Sequence, residues 1–321
     1  MDYYTTIENL KETIEKHGVA IIPNLLNDEE CNNMFNGMWD YLEHITQDWQ
    51  EPIKKNDETT YKNIYYLFQK NISIKMIVKF WGVGHCQMAW DLRQNPKIIN
   101  VFANFWNVKP EELLVSFDSS SFHFPPEITG DEFWTKQYRW YHTDQSYTTN
   151  NFTHLQSWIT GLDVNEGDST LAFLENSHNY HKEFADYYDI KDLNDWYILN
   201  KDELDFYYKK GCKEKIISCP KGSLVLWDGR TIHCGIEPSK NRIKQNFRCI
   251  TYLCYMPRNF ATHEEIIEKQ QIFNSMLTTT HNPYKNLTIP KTPYINLDEE
   301  DFITPINKPK LTELGYKLAG F

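Results

Sequence analysis

The sequence predicts a mainly β protein with flanking helices, an α+β arrangement whose strands close into a sandwich or a jelly roll. Short segments rich in β-branched and aromatic residues recur between positions 137 and 257, and Gly and Pro turns separate them. Two of these segments, 154–160 and 247–252, alternate in period two, as half-buried strands do. Many short strands joined by such turns are typical of sandwiches and jelly rolls.

We interpret the chain as one domain over residues 1–321, because β-barrels of this length are often single domains. A helical lead-in covers 1–112, and the jelly-roll core covers 113–257 with an insertion at 181–214. A C-terminal helix and a wrapping extension cover 258–321. Apolar residues make up 40% and aromatic residues 15% of the chain, a composition that supports a folded core and differs from a disordered one.

The lead-in is predicted to alternate helices with one short strand. Apolar residues at helical spacing predict a helix over 4–17, and a buried strand over 19–23 follows it. Asn27 and Glu30 have the spacing of a capping box, which predicts a helix from there to about His44. The remaining elements of the lead-in are a polar loop at 46–62 and helical stretches near 74–81 and 96–106.

The strands of the core follow from local β pattern and turn residues. They are predicted at 113–118, 137–141, 154–164, 169–175, 215–219, 222–228 and 247–256. Pro125 and Pro126 predict a break after the first strand, since proline cannot continue a central ladder, and a loop over 127–136. The insertion at 181–214 is rich in Tyr, Asp and Lys. It is interpreted either as a lid over the barrel mouth or as a solvated helical surface.

The C-terminal part contains one clear helix signal. Thr262 and Glu265 form a second capping box, which predicts a helix to about Met276. The residues from 277 to 321 are rich in Pro, Thr and aromatic side chains and have no strong period. We therefore expect an extension that wraps the domain rather than a second domain.

Composition limits the classes of partner and compartment. The net charge of −11 argues against nucleic acid as a partner, because binding to a phosphate backbone needs a basic surface. Seven cysteines without a Cys-x-x-Cys pair indicate reduced thiols in a reducing compartment. The amino terminus lacks the pattern of a signal peptide, and no apolar run reaches the roughly 18 residues of a membrane span. We expect a cytoplasmic protein without a membrane partner, with a monomer favoured over an oligomer.

His142, Asp144 and His233 are the candidate metal ligands. A His-x-Asp tripeptide such as 142–144 is expected by chance on the order of once in a chain of this composition, so its context matters. The tripeptide follows a predicted strand and precedes a turn. A second strand is predicted over 223–228, and His233 follows it after a Gly-containing turn. Two imidazoles and one carboxylate with open positions opposite them form the facial triad of non-haem Fe(II) oxygenases.

The other candidate ligands receive a different interpretation. Five further histidines have no partner at ligand spacing and are expected to be surface or core hydrogen-bonding residues: His154, His178, His181, His263 and His281. Cys234 adjoins His233, but neighbouring residues of a strand point to opposite faces. A cysteine ligand at this position is therefore disfavoured.

Arg248 is the candidate anchor for an anionic cosubstrate, 2-oxoglutarate. The planar guanidinium of an arginine binds a carboxylate through two parallel hydrogen bonds, and Arg248 opens the strand predicted at 247–256. Period two places Ile250 and Tyr252 on the same face. An inward arginine on an apolar strand is costly if unpaired, which indicates an anionic partner; a structural salt bridge to a buried carboxylate is the alternative. Arg242 and Lys244 lie in a polar turn where we expect solvation.

Several segments together resemble a known family. They are Gly-Val-Ala-Ile-Ile-Pro at 18–23, Trp-Tyr-His-Thr-Asp at 140–144, the stretch 168–178, Trp-Asp-Gly-Arg-Thr-Ile-His-Cys-Gly at 227–235, and Phe-Arg at 247–248. The chain resembles the phytanoyl-CoA dioxygenase family of Fe(II)/2-oxoglutarate-dependent oxygenases from about Gly18 to Pro257. It departs from the family pattern at 175–176, where Glu-Asn replaces a Pro-Gly turn, and at Gly235, where a hydroxyl side chain is common.

The resemblance implies a cupin-like double-stranded β-helix, iron on His142, Asp144 and His233, and 2-oxoglutarate on Arg248. It also implies that Trp158 lines the cosubstrate pocket. The expected reaction is hydroxylation of a small molecule by O2, with succinate and CO2 as co-products. Two alternatives stay open: a jelly roll that binds a metal or ligand without catalysis, and a cupin-type metal-dependent hydrolase or isomerase.

Overall fold

A computed structural model describes residues 3–68, 76–130, 134–135, 139–193, 195–287 and 306–321. The strands in these ranges are β1 (Val19–Ile22), β2 (Ile77–Val78), β3 (Leu113–Val115), β4 (Ser120–His123), β5 (His142–Thr143), β6 (Leu155–Thr160), β7 (Thr170–Leu174), β8 (Tyr197–Ile198), β9 (Glu214–Ile216), β10 (Leu224–Asp228), β11 (His233–Ile236) and β12 (Arg248–Pro257). The α-helices are α1 (Leu10–His17), α2 (Asp28–Thr46), α3 (Tyr65–Phe68), α4 (Gln87–Arg93), α5 (Pro96–Trp106), α6 (Pro126–Thr129), α7 (His181–Tyr188), α8 (Lys201–Lys209), α9 (His263–Asn274) and α10 (Glu313–Leu318).

The strands form two antiparallel sheets. The larger sheet has the order β1-β10-β6-β12-β4-β2, and β3 pairs with the far end of β12. The smaller sheet has the order β8-β5-β11-β7-β9. Neighbouring strands in these sheets are mostly far apart in sequence, as expected for a jelly roll. The predicted fold class, mainly β with flanking helices and a cupin-like jelly roll, is confirmed.

Alternating residues of the two sheets meet in an apolar interior. Trp158 and Ile250 of the larger sheet pack in the same buried cluster as Leu171 and Phe173 of the smaller sheet. Trp227 belongs to this cluster as well, and its ring lies 5.2 Å from that of His233. The period-two pattern therefore places one face of each sheet inside the barrel, and the candidate site borders this interior.

Helices of the lead-in cover the outer face of the larger sheet. Leu224 and Leu226, which alternate with the inward residues of β10, belong to the same buried cluster as the apolar residues of α1, α2 and α5. The predicted capping box is present at the start of α2, where the Asn27 side chain accepts from the Glu30 N–H and Glu30 accepts from the Asn27 N–H. The lead-in also supplies β1, which pairs with β10 at the edge of the sheet.

The helices of the insertion pack on the outer face of the smaller sheet. Leu174 and Cys234 share a buried cluster with Phe184 of α7 and Tyr207 of α8. Between the two helices, β8 pairs with β5 and brings Trp196 close to His142. The helices therefore cover the back of this sheet, and the segment around β8 reaches the site; a lid role for the insertion stays a prediction.

Several predicted elements differ from the observed ones. In the described part of 74–81, β2 replaces the predicted helix, because Ile77 and Val78 pair with Ser121 and Ser120 of β4. The break predicted at the proline pair holds, but a turn of helix, α6, starts there rather than a loop. The strand predicted at 137–141 is observed at His142–Thr143; residues 137 and 138 lie outside the described ranges.

The chain after β12 returns along the core. The second predicted capping box is present, since Thr262 accepts from the Glu265 N–H at the start of α9. The segment 277–287 then runs back towards the barrel. Its Thr279 N–H donates to the Phe117 carbonyl at 2.9 Å. None of the helices in the described ranges has both the length and the hydrophobicity that a membrane crossing requires.

Candidate metal centre

His142, Asp144 and His233 converge as the sequence predicted. His142 of β5 lies directly opposite His233 of the neighbouring antiparallel strand β11, and Asp144 follows β5 immediately. One ligand atom from each residue can be chosen so that all three lie within 4.8 Å of one another. Among the described residues, this is the group of His, Cys, Asp and Glu side chains with metal-binding geometry.

The backbone fixes the orientation of both imidazoles. His142 Nδ1 lies 3.2 Å from the Trp140 carbonyl, and His233 Nδ1 lies 2.8 Å from the Thr231 carbonyl. A carbonyl only accepts, so each neutral ring carries its hydrogen on Nδ1 and leaves Nε2 with a free lone pair. Both Nε2 atoms face Asp144, at 3.5 Å for His142 and 3.1 Å for His233. Hydrogen bonds of this kind typically orient metal-ligating histidines.

Asp144 is held by contacts from both sheets. Its backbone N–H donates to the Gly229 carbonyl at 3.0 Å, and the Trp227 indole N–H donates to its Oδ2 at 3.0 Å. Burial by itself would raise the pKa of Asp144, but the neighbouring His233 and His142 side chains hold that pKa well below its usual value. The side chain is therefore a carboxylate, as a ligand must be.

Burial and the neighbouring His233 lower the pKa of His142. The ring is thus neutral at physiological pH and able to donate a lone pair. Trp140 stacks on it with ring centroids 4.5 Å apart. Two neutral imidazoles and one carboxylate suit a divalent first-row metal, and a buried group with positions left open suits Fe(II) in particular. The donor set therefore fits the predicted iron.

Arg248 opens β12 and points into the barrel. Its Nε donates to the Ser121 hydroxyl at 2.7 Å, and its Nη1 donates to the Ser169 carbonyl at 2.8 Å. Tyr252, four residues on, interacts with the same guanidinium, as the period-two prediction required. In the part of the chain that the structure describes, no carboxylate forms an ion pair with Arg248. The buried cation is therefore left with neutral partners, a costly arrangement that fits an anionic ligand.

Trp158 provides an independent test of this fit. The Arg248 guanidinium lies 5.9 Å from the Trp158 ring centroid. The indole N–H of Trp158 is buried and has no hydrogen-bond partner among the described residues, although buried donors in folded proteins are almost always paired. A carboxylate bound beside Arg248 offers acceptor oxygens to such a donor. The residues present therefore fit a dicarboxylate such as 2-oxoglutarate.

Of the two neighbouring cationic residues, Lys244 is exposed as predicted, but Arg242 differs from the prediction. Arg242 was expected to be solvated, but its side chain is almost fully buried and pairs with Glu127 and Asp168. The pairing follows from the loop geometry, since Arg242 packs directly against Gly167. Arg242 is therefore a structural residue, and Arg248 is the arginine at the barrel interior.

His281 was expected to have no partner near the ligands, and the structure corrects this. Its Nδ1 lies 3.9 Å from Asp144 Oδ1, and its ring stacks on His154 with centroids 5.2 Å apart. His154 Nε2 in turn lies 3.2 Å from the Asp144 carbonyl. Burial lowers the pKa of His281 to about 4, so this ring is neutral. The sequence gives no sign that His281 lies near Asp144, because the two residues are far apart in the chain and His281 belongs to the C-terminal segment.

The other histidines and Cys234 agree with the prediction. His178 lies 3.0 Å from the Glu15 carbonyl, and His181 lies 3.4 Å from the Gln145 carbonyl. His263 is exposed at the start of α9. Cys234 faces the insertion helices, away from the ligands.

Comparison with known proteins gives the same assignment. The family described as Phytanoyl-CoA dioxygenase (PhyH) matches residues 14–237, more than half of the chain. The chain belongs to this family. Membership and the triad confirm the predicted cofactors, iron and 2-oxoglutarate, and identify the protein as a non-haem oxygenase that uses O2. The family also implies a small-molecule substrate.

Individual relatives are more distant. The chain is 24% identical over 287 residues to Ava biosynthesis cluster protein O of Aspergillus versicolor, with 87% of each chain covered. A solved structure described as an oxidoreductase from Salmonella typhimurium LT2 has a TM-score of 0.61 at 13% identity, over 99% of this chain and 86% of that one. A hypothetical protein of Escherichia coli has a TM-score of 0.55 at 11% identity, over 88% and 79%. At these identities the two structures show the fold alone.

Proposed function

We propose that this protein is an Fe(II)- and 2-oxoglutarate-dependent hydroxylase of a small molecule. Iron binds to His142, Asp144 and His233, and 2-oxoglutarate binds to Arg248. The observation that carries the proposal is the convergence of three ligand atoms within 4.8 Å at the wall of a barrel whose interior contains an arginine that forms no ion pair with a carboxylate of the described residues. Neither feature alone specifies the reaction, but a metal site and an anion site in one barrel suit this cosubstrate.

The metal ligands need no rearrangement of the strands to bind iron. The two Nε2 atoms already point to the Asp144 carboxylate, and the carbonyls of Trp140 and Thr231 hold the required tautomers. The single charged ligand leaves a bound Fe(II) with net positive charge, which attracts an anionic cosubstrate. Trp227 keeps the carboxylate in place through its N–H, so the ligand set is preorganised.

Arg248 and Trp158 orient the cosubstrate from the larger sheet, whereas the histidine ligands lie on the smaller sheet. Ser121 and Ser169 fix the guanidinium plane, and Trp158 offers its indole N–H beside it. When bound, iron and 2-oxoglutarate together use O2 to hydroxylate a C–H bond and release succinate and CO2. The aromatic residues of the interior exclude bulk water and so protect this reaction from side processes.

The substrate class is supported by family and by one relative. Membership of the phytanoyl-CoA dioxygenase family supports the proposed oxygenase reaction, and the relative from Aspergillus versicolor is described as a biosynthesis cluster protein. We therefore propose a small molecule of a biosynthetic route as the substrate. An acidic chain with a net charge of −11 is poorly suited to the phosphates of an acyl-CoA.

Succinate release across a substrate panel tests the proposal. Amino acids, acyl derivatives and natural-product scaffolds are supplied with Fe(II), 2-oxoglutarate and O2. We expect at least one compound to stimulate succinate release and to gain one oxygen atom in the wild type but not in His142→Ala. Product formation that needs no 2-oxoglutarate would instead indicate a hydrolase or isomerase and would contradict the proposal.

A further inference from the structure

The C-terminal segment 277–287 is fixed against the barrel and delivers a side chain to the metal centre. Besides the bond from the Thr279 N–H to the Phe117 carbonyl, the Phe117 N–H donates to the Thr279 hydroxyl at 3.1 Å. The Asn282 side chain accepts from the N–H groups of Tyr284 and Lys285, both at 3.1 Å. His281 therefore reaches Asp144 through a held backbone rather than through a loose tail. This segment lies beyond the residues 14–237 that the family shares.

The geometry excludes two simple roles for His281. It is absent from the group whose ligand atoms converge among the described residues, so it is not placed as a fourth metal ligand. Its Nε2 is buried and has no hydrogen-bond partner, so it does not serve to satisfy another core group. Nδ1 faces the Asp144 carboxylate, which only accepts. Nδ1, 3.9 Å from Asp144 Oδ1, is thus the ring nitrogen that faces an acceptor. A neutral ring with its hydrogen there presents Nε2 as an acceptor that forms no hydrogen bond with the described residues.

Asp195 presents a second buried acceptor, which is ion-paired but forms no hydrogen bond, and its charge acts on His281. Its Oδ1 accepts from the Ser146 N–H at 3.1 Å. Its Oδ2 is buried without a hydrogen bond, and the Lys285 ammonium is 3.5 Å away from it. The next residue, Trp196, has a φ of 84°, a conformation that bulky residues rarely adopt. Its ring lies 5.8 Å from that of His142, so the strained residue forms an aromatic wall beside the ligands.

We propose that His281 and Asp195 bind the primary substrate through its hydrogen-bond donors, and that the enzyme selects small molecules with an amine or hydroxyl group near the oxidised carbon. This inference rests on the proposed function. A buried acceptor without a hydrogen bond is costly. A donor-bearing substrate removes that cost at His281 Nε2 and gives Asp195 Oδ2 a hydrogen bond in addition to its ion pair with Lys285. The Asp195 carboxylate favours an amine over a hydroxyl, because hydrogen bonds between charged partners are the stronger ones.

Three probes of matched shape test the selection: benzylamine, benzyl alcohol and toluene. They are titrated by ligand-observed NMR against the protein loaded with 2-oxoglutarate and Zn(II), which takes the same nitrogen and oxygen ligands and has no redox chemistry. We expect both donor probes to bind about tenfold more tightly than toluene, with benzylamine the tightest. In Asp195→Asn, the advantage of benzylamine over benzyl alcohol should disappear.

His281→Phe keeps a ring to stack on His154 and removes the acceptor. The preference for the donor probes over toluene should fall to about twofold or less in this variant, and His281→Gln should restore part of it. His263→Phe, the same change at an exposed position, is the matched control and should behave as the wild type. The inference is overturned if the three probes bind equally or if none of them binds. It is also overturned if the preference for the donor probes over toluene remains in His281→Phe. An unchanged benzylamine advantage in Asp195→Asn overturns the role of Asp195.

Failure of this inference is distinguishable from failure of the proposed function. The wild type is titrated in parallel with Fe(II) and 2-oxoglutarate under anaerobic conditions. A visible charge-transfer band without a probe preference rejects the substrate selection and leaves the oxygenase proposal intact. A probe preference without the band rejects the oxygenase proposal and leaves the selection for donor-bearing molecules intact.

Discussion

His142 and His233 lie directly opposite each other on β5 and β11, and their ring centroids are 4.3 Å apart. This cross-strand pairing explains why ligands separated by a long stretch of sequence meet without a dedicated loop. Antiparallel register places both side chains on the same face of the smaller sheet. Asp144 needs only the short step from β5 to join them, so the fold itself creates the metal centre.

Replacement of Asp144 by Ala should abolish turnover by removing the charged ligand and the acceptor for Trp227. We expect iron affinity to fall by 10-fold or more and succinate release to reach background. Metal content after dialysis and coupled succinate detection measure the two effects. The loss of a buried carboxylate between two imidazoles also leaves an open position that a halide can occupy, so chloride should raise iron retention in this variant but not in the wild type.

A matched substitution separates this effect from general damage. His263→Ala changes an exposed histidine at the start of α9 and should leave metal content and turnover as in the wild type. Turnover that persists in Asp144→Ala would show that the ligand assignment is wrong.

Replacement of Arg248 by Lys should weaken 2-oxoglutarate binding while iron binding remains. Lysine keeps the charge but loses the planar pair of donors that bind a carboxylate. Hydrogen bonds to charged groups contribute about 1.5–3 kcal/mol, so we expect the Kd of 2-oxoglutarate to rise by about 10- to 100-fold. Arg242→Lys is the control, because Arg242 pairs with Glu127 and Asp168; it should lower stability without changing this Kd. An equal rise in both variants would contradict the assignment.

Replacement of Trp158 by Phe tests the unpaired indole N–H. If 2-oxoglutarate accepts from this donor, its Kd should rise about fivefold, the cost of one ordinary hydrogen bond. Without 2-oxoglutarate, removal of this N–H should cost the protein little stability, because the N–H forms no hydrogen bond with the described residues. Trp39 also has a buried unpaired N–H but lies in the helical core. A Trp39→Phe variant with the same rise in Kd would show that the effect is not local.

Acid should destabilise the fold partly through His85. Burial, with a smaller contribution from Arg93, lowers the pKa of His85 to about 3, while the unfolded chain keeps a value near 6.5. The folded pKa is the lower one, so the stabilising contribution is complete above pH 6.5 and is lost as the pH falls towards 3. Between about pH 6.5 and pH 5 the free energy of unfolding should fall by about 2 kcal/mol from this residue.

Urea unfolding across this pH range measures the His85 contribution. The ring donates from Nε2 to the Leu277 carbonyl at 2.9 Å and accepts from the Trp90 N–H at Nδ1, so protonation of Nδ1 would place a second hydrogen against the Trp90 donor. His85→Gln should have a shallower pH dependence than the wild type. His263→Gln, at an exposed position, should keep the wild-type slope. A parallel slope in His85→Gln would show that His85 does not stay neutral in the folded protein.

The sequence predicted those parts of the site that local pattern determines. His142 and Asp144 were recognisable because their spacing and the strand before the turn are local features, and Arg248 because an arginine on an apolar strand is unusual. The start of α2 was predictable for the same reason, since Asn27 and Glu30 make a contact within one turn of helix.

The remaining parts depend on contacts between distant segments. β2 has the local pattern of a helix, but pairing of Ile77 and Val78 with β4 overrides it. His281 reaches Asp144 only because the segment that carries it is tied to Phe117, and no periodicity in 277–321 signals this. The position of Trp196 likewise follows from pairing of β8 with β5. Tertiary pairing of this kind leaves no mark on a single sequence.

An anaerobic titration with Fe(II) and 2-oxoglutarate tests the central claim most directly. We predict a metal-to-ligand charge-transfer band in the visible range that saturates at one iron and one 2-oxoglutarate per chain, is lost in His142→Ala, and requires a higher 2-oxoglutarate concentration in Arg248→Lys. A wild-type protein that retains iron but develops no band, or a band unchanged in His142→Ala, would contradict the account.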